Sequence, residues 1–236
     1  MRKIIPSVVC MLLSLGIHAQ SIIGAWENHS TSENGDQIKN VMVFVDGYQV
    51  STTFHATTGK FIETQGGSWT LEGNILTETI EFDTTHPERV GTEITYKVNV
   101  SNNELKFVDQ NLKWTRIDNG QPGALHGAWL MSGRVVDGKA QTRDTSGPRK
   151  TMKILSGTRF QWIAYNTETK QFMGTGGGTY TTINGEYTEN IEFFSRDDSR
   201  VGMSLKFNYE LVDGQWHHKG FSSKGDPINE IWSLRE

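Results

Sequence analysis

The chain has 236 residues, 35% of them hydrophobic and 21% charged, with a formal charge of −4 and a mean hydropathy of −0.49. These values exclude a polytopic helical membrane protein, and an acidic balance offers no basic face for DNA or RNA, so no nucleic-acid partner is expected. Aromatic residues make up 10% of the chain, enough for a packed core and against wholesale disorder.

Arg2 and Lys3 open the chain, Ile4 to Ile17 is mostly apolar, and Ile17-His18-Ala19 leads to Gln20. This is the layout of a secretory signal peptide over residues 1–19, and the apolar run is shorter than a membrane span. The expected location is periplasmic or extracellular, with no membrane span after cleavage. Cys10, the single cysteine, follows Val8 and Val9 inside the apolar run, which does not fit a lipidation site. Loss of Arg2 and Lys3 with the leader takes the 23 basic residues to 21 against 27 acidic ones, a charge of −6. The remaining chain has no cysteine, so its core alone must hold it.

Next come short runs with a period of two, the spacing of strands. They cover residues 22–28, 40–45, 48–55, 61–71, 75–82, 92–100, 104–109 and 112–117. In the second, Val41, Val43 and Val45 alternate with Met42 and Phe44, and Asp46-Gly47 marks a hairpin. Glu72-Gly73-Asn74 and Ser101-Asn102-Asn103 mark further turns. A linker over residues 118–124 follows, with Gly120, Pro122 and Gly123.

The rest of the chain repeats the first part. Gly24-Ala25-Trp26 recurs as Gly127-Ala128-Trp129, and Gly66-Gly67 as Gly177-Gly178. Thr77–Phe82 recurs as Thr188–Phe193, and Arg89-Val90-Gly91 as Arg200-Val201-Gly202, at an offset of 111. The halves close with Trp114-Thr115-Arg116 and Trp232-Ser233-Leu234-Arg235. The reading is two homologous modules, residues 22–117 and 125–236, each an all-β, eight-stranded antiparallel up-and-down barrel. A two-sheet sandwich is the alternative.

Gly-Ala-Trp on the first strand, eight strands and a basic residue beside the last strand resemble the lipocalin and fatty-acid-binding-protein superfamily. The repeated Thr-Glu-x-Ile-Glu-Phe run, the Arg-Val-Gly and the closing Trp are similar to lipocalin-like secreted proteins of unknown function from Bacteroidota. The resemblance implies that Trp26 stacks on Arg116, and Trp129 on Arg235, closing one end of each barrel. The further lipocalin motifs and the helical lid of fatty-acid-binding proteins are missing, which speaks against a large lipid cavity.

Strand alternation places Leu76, Glu78, Ile80 and Phe82 on one face, and Tyr187, Glu189, Ile191 and Phe193 on its counterpart. A carboxylate on an apolar face needs an internal partner, such as Arg89, Arg200 or a Tyr, or a ligand. Glu81 and Glu192 fall on the opposite face and are expected to be solvated. Arg89 and Arg200 follow equivalent loops, where they pin the loop or meet an anionic ligand at the rim. Phe160 and Trp162 share a face, as core or as a platform for a ring-shaped ligand, with Val50 and Thr52 read as their counterparts. The run Gly174-Thr175-Gly176-Gly177-Gly178 opens no helix and carries no closing Lys, so it is read as a bent strand and not a phosphate loop. His29, His55, His86, His126, His217 and His218 form no metal-ligand spacing.

The candidate ligand-binding residues are thus Glu78, Glu189, Arg89, Arg200, Phe160 and Trp162, with no catalytic residue, metal or cofactor assigned. The expected function is binding of a small hydrophobic or amphipathic ligand. An interaction module for another envelope protein is the alternative, and an enzyme using a lumenal Glu a third reading.

Overall fold

The computed structural model describes residues 21–121 and 123–235. The expected leader with Cys10, and Pro122 of the expected linker, lie outside the described residues. The first barrel runs β1 (Gly24–Thr31), β2 (Gln37–Val45), β3 (Tyr48–His55), β4 (Phe61–Glu72), β5 (Ile75–Asp83), β6 (Glu93–Val100), β7 (Glu104–Phe107) and β8 (Leu112–Asp118). Each strand pairs antiparallel with the next, and β8 closes on β1. The second comprises β9 (Gly127–Val136), β10 (Lys139–Thr142), β11 (Arg149–Leu155), β12 (Arg159–Asn166), β13 (Gln171–Ile183), β14 (Glu186–Phe194), β15 (Ser204–Val212), β16 (Gln215–Phe221) and β17 (Pro227–Leu234). Here β17 closes on β9. Two closed antiparallel barrels in tandem fit a lipocalin-like architecture; closure pairs the barrel strands on both sides, while the short β10 pairs with β9 alone.

The ninth strand of the second module has a local cause. In the first barrel β1 pairs along its whole length with β2. In the second, Gly127–Leu130 pairs with β11 and Gly133–Val136 with β10. One strand has been broken in two by residues 143–148. Asp144 accepts hydrogen bonds from the backbone and hydroxyl of Ser146, turning the chain, and Pro148 cannot donate to a ladder.

Alternate residues separate two environments. The inner face of the first barrel carries Trp26, Met42, Phe44, Leu76, Leu105 and Trp114, and that of the second carries Trp129, Phe160, Tyr187, Trp216 and Trp232. A third core lies between the barrels. Val41, Val43, Val50, Phe54 and Phe82 pack there against Met152, Ile154, Ile163, Tyr165 and Phe193. The contact is isologous, the form a two-fold dimer interface takes. Phe54 meets Phe193 with centroids 4.9 Å apart, and their repeat equivalents Tyr165 and Phe82 meet at 4.8 Å. Phe61 stacks on its own equivalent, Phe172, at 6.0 Å.

The glycine pairs explain how Phe82 and Phe193 reach this interface instead of the lumen expected for them. Gly66 and Gly67 pair with Phe82 and Ile80, so Glu81 is an extra, bulged residue, and the second barrel repeats this at Gly177 and Gly178. The bulge changes the face of everything after Ile80 and Ile191. A Cβ on Gly67 would lie 2.0 Å from the carbonyl oxygen of Thr79, which is why glycine stands there.

Glu81 and Glu192 leave the lumen as expected, but the face they reach is covered by the other barrel. Glu81 takes a bidentate pair from Arg235, at 2.6 and 2.9 Å, and a hydrogen bond from the Tyr165 hydroxyl. Glu192 pairs with Arg159 at 2.6 Å and with Lys39 at 3.4 Å. Arg235 therefore does not cap Trp129. It lies over Tyr48, 4.0 Å from the ring centroid. Trp114 and Arg116 are two residues apart and share a face, whereas Trp232 and Arg235 are three apart and do not. Arg116 does sit over Trp26, at 3.9 Å.

Candidate functional site

Glu78 points into the first barrel from the middle of β5. It is 2% exposed, and among the described residues no hydrogen bond or ion pair reaches its carboxylate. Burial pushes its pKa from 4.5 up to about 7. The carboxylate faces a cavity of about 380 Å³. Met42, Phe107 and Trp114 give this cavity an apolar side, and Asn28, Asn40, Ser51 and Gln65 a hydrogen-bonding one. The indole nitrogen of Trp114 is buried without an acceptor, a second polar group of this lumen left unsatisfied.

A smaller chamber of about 240 Å³ adjoins it, with Ser51, Thr53, Glu63, Gln65 and Arg89 lining both. Asp83 closes its far side. One Asp83 oxygen accepts from the backbone and hydroxyl of Thr85 and from the backbone of His86, which holds the loop after β5. The other oxygen has no hydrogen bond and lies 3.8 Å from Arg89. Arg89 thus stands where the chambers meet, with Asp83 and not Glu78 as its ion-pair partner. Arg200 does the corresponding work on its own loop, pairing with Asp197 at 3.0 Å and donating to the carbonyl of Ser223.

The second barrel places Glu189 at the same station and satisfies it internally. Lys153 Nζ lies 2.8 Å from its carboxylate, and the Tyr187 hydroxyl donates to it at 2.9 Å. Rings of Tyr187, Phe207, Trp216 and Trp232 surround that ammonium with centroids 5.0–5.8 Å away. His218 contacts Glu230 through Nδ1 at 3.2 Å, and Trp232 donates to the same carboxylate. Burial, then the charge of Lys153, hold the His218 imidazole below its ordinary range. The cavity left is about 230 Å³. Trp162 lines it and leans on Phe194 at 5.5 Å, while Phe160 is buried deeper, 6.4 Å from Tyr187.

Pairing registers give the equivalences. Gly24 pairs with Phe44 and Gly127 with Leu155, so Lys153 of β11 occupies the station of Met42 in β2. Gly67 pairs with Gln49 and Gly178 with Phe160, while Gln65 pairs with Ser51 and Gly176 with Trp162. The counterparts of Phe160 and Trp162 are therefore Gln49 and Ser51, not Val50 and Thr52, which face the other barrel. On the same basis Tyr96 corresponds to Phe207, Leu105 to Trp216 and Trp114 to Trp232. The carboxylate is common to both lumens; the cation, and most of the aromatic filling, belongs to the second alone.

Of the residues singled out from the sequence, the structure places Glu78 and Arg89 on one cavity and Glu189 and Trp162 on another, with Phe160 packed beneath the latter and Arg200 not among its lining residues. Sequence reasoning missed Lys153, His218 and Glu230, and in the first barrel Met42, Gln65 and Tyr96. Alternation gave no signal for Lys153: Arg149, Thr151 and Lys153 share one face opposite Met152 and Ile154, the pattern of a solvated lysine.

Residues 124–234, covering the second barrel, match the family model described as "Domain of unknown function (DUF4488)". No curated protein matches the chain.

Proposed function

We propose that this is an exported, lipocalin-like binding protein that takes a small amphipathic ligand into the lumen of its first barrel. The observation that carries the reading is Glu78. A buried carboxylate without a partner is costly, and here it borders an unfilled space of about 380 Å³ with both apolar and hydrogen-bonding walls. The second barrel supports the choice by contrast, since Lys153 and the aromatic side chains around it occupy the corresponding space. Export is supported by the basic start, apolar run and Ala19–Gln20 junction of the leader.

The test is a thermal-shift screen of purified protein against lipids, sugars and hydrophobic metabolites, with calorimetry on hits, run beside Ser51→Trp. That substitution places in the first barrel the indole that the second carries at Trp162. A ligand that raises Tm in the parent and has no effect on a folded Ser51→Trp variant supports the reading. Silence across the panel, or hits unchanged by Ser51→Trp, overturns it.

A further inference from the structure

The molecule holds two copies of one carboxylate, and one copy shows its occupant. Glu189 is met by a primary ammonium, that of Lys153, at 2.8 Å. Two of the four rings around that ammonium have aromatic counterparts in the first barrel, Tyr96 for Phe207 and Trp114 for Trp232, and both line the cavity beside Glu78. Leu76 and Leu105 stand where the second barrel has Tyr187 and Trp216, and the cation is missing because β2 carries the uncharged Met42 where β11 carries Lys153. From this internal comparison we infer that the first barrel selects ligands bearing a protonated amine, with the ammonium seated on Glu78 as the Lys153 ammonium is seated on Glu189.

The inference rests on the binding role proposed above and specifies the ligand's charged group. Charge along the cavity agrees with it. Glu63 and Glu78 both line this space, and its one basic residue, Arg89, has Asp83 beside it. A carboxylate ligand would meet like charge at Glu78. An amine meets opposite charge there, in a setting where the low local dielectric strengthens the attraction. The pKa of Glu78 agrees as well: burial without a counter-charge raises it, and a bound ammonium would lower it again.

The test compares three probes of matched skeleton by calorimetry at pH 8: 2-phenylethylammonium, 2-phenylethanol and phenylacetate. The ammonium should bind at least ~10-fold more tightly than the alcohol, the size of effect a buried charge-assisted hydrogen bond produces, and phenylacetate should be weakest. Glu78→Gln should bring ammonium and alcohol to equal affinity. Met42→Lys should abolish ammonium binding and raise Tm, since it installs the internal partner seen in the second barrel. Equal binding of alcohol and ammonium to the parent, or an ammonium preference that survives Glu78→Gln, overturns the amine assignment and leaves the binding role standing. Silence toward all three probes also overturns it, and the broader screen with Ser51→Trp then decides the binding role separately.

Discussion

Replacing Glu78 by Gln removes a carboxyl that the fold holds protonated at a pH where the unfolded chain has already released the proton. Below pH 4.5 both states carry the neutral acid, and burial exacts no electrostatic cost. Between 4.5 and about 7 the unfolded chain ionises while the native state keeps its proton, so stability falls as pH rises. Above about 7 the native state ionises too, and the loss levels off. At ~1.36 kcal/mol per pH unit, the interval between the two pKa values amounts to about 3 kcal/mol. Glutamine is neutral throughout and close in shape. Glu78→Gln should therefore match the parent at pH 4.5 and exceed it by on the order of 3 kcal/mol at pH 8. Urea unfolding followed by tryptophan fluorescence at half-unit pH steps measures the difference, and other titrating groups cancel in the subtraction. A difference that does not change with pH, or a variant less stable than the parent at pH 8, would refute the claim that this carboxylate is buried without a counter-charge.

The equivalent change in the second barrel should have the opposite sign. Glu189→Gln leaves the Lys153 ammonium buried without its counter-ion and should destabilise by about 3 kcal/mol or more at pH 7, read by the same urea titration. Arg235→Ala strips Glu81 of its bidentate partner between the barrels and should cost about 2 kcal/mol in the same assay, with Arg235→Lys recovering only part because the fork is lost. Gly59→Ala puts a Cβ 2.3 Å from the carbonyl oxygen of Glu192 at φ +69°, whereas Gly47→Ala at φ +72° meets open space. The second change should lower stability by ~1 kcal/mol for its backbone alone, the first by clearly more, and calorimetric Tm values for the pair isolate the inter-barrel contribution.

Period-two alternation and the internal repeat made the two barrels legible before any coordinates, because a closed sheet with one side in and one side out writes that pattern directly. They also aimed Glu78 and Glu189 inward correctly. Alternation fails where the ladder slips: the bulge at Gly66-Gly67 adds Glu81 as an extra residue, and Phe82 changes sides. It fails again where an outer face is covered, since Val41, Val43, Val45 and Val50 look like one wall of a two-sided strand whether a lumen or a second barrel lies beyond. Glu81 and Glu192 read as solvated for that reason. Alternation hides Lys153, because Arg149 and Thr151 share its face opposite Met152 and Ile154, the pattern of a lysine that reaches water. Closure of the barrel turns that face onto the lumen, where the ammonium is buried and meets the carboxylate of Glu189.

The two lumens thus resolve one electrostatic problem in different ways. Each barrel carries a glutamate at the middle of an equivalent strand, Glu78 of β5 and Glu189 of β14, and a glutamate there cannot be buried cheaply. The second barrel neutralises it with its own lysine, rings the ammonium with Tyr187, Phe207, Trp216 and Trp232, and leaves about 230 Å³. The first keeps methionine at the lysine's station and serine at the station of Trp162, leaves about 380 Å³, and retains a carboxyl that resists ionisation. Stability alone favours the second arrangement, since Met42→Lys would supply the first barrel with the same pair. An unfilled lumen beside an uncompensated acid makes physical sense where something outside the chain completes the site. The packed interface between the barrels lets the first barrel carry that local cost, because the Phe54–Phe193 and Phe82–Tyr165 contacts couple it to a neighbour whose own lumen is closed by an internal ion pair.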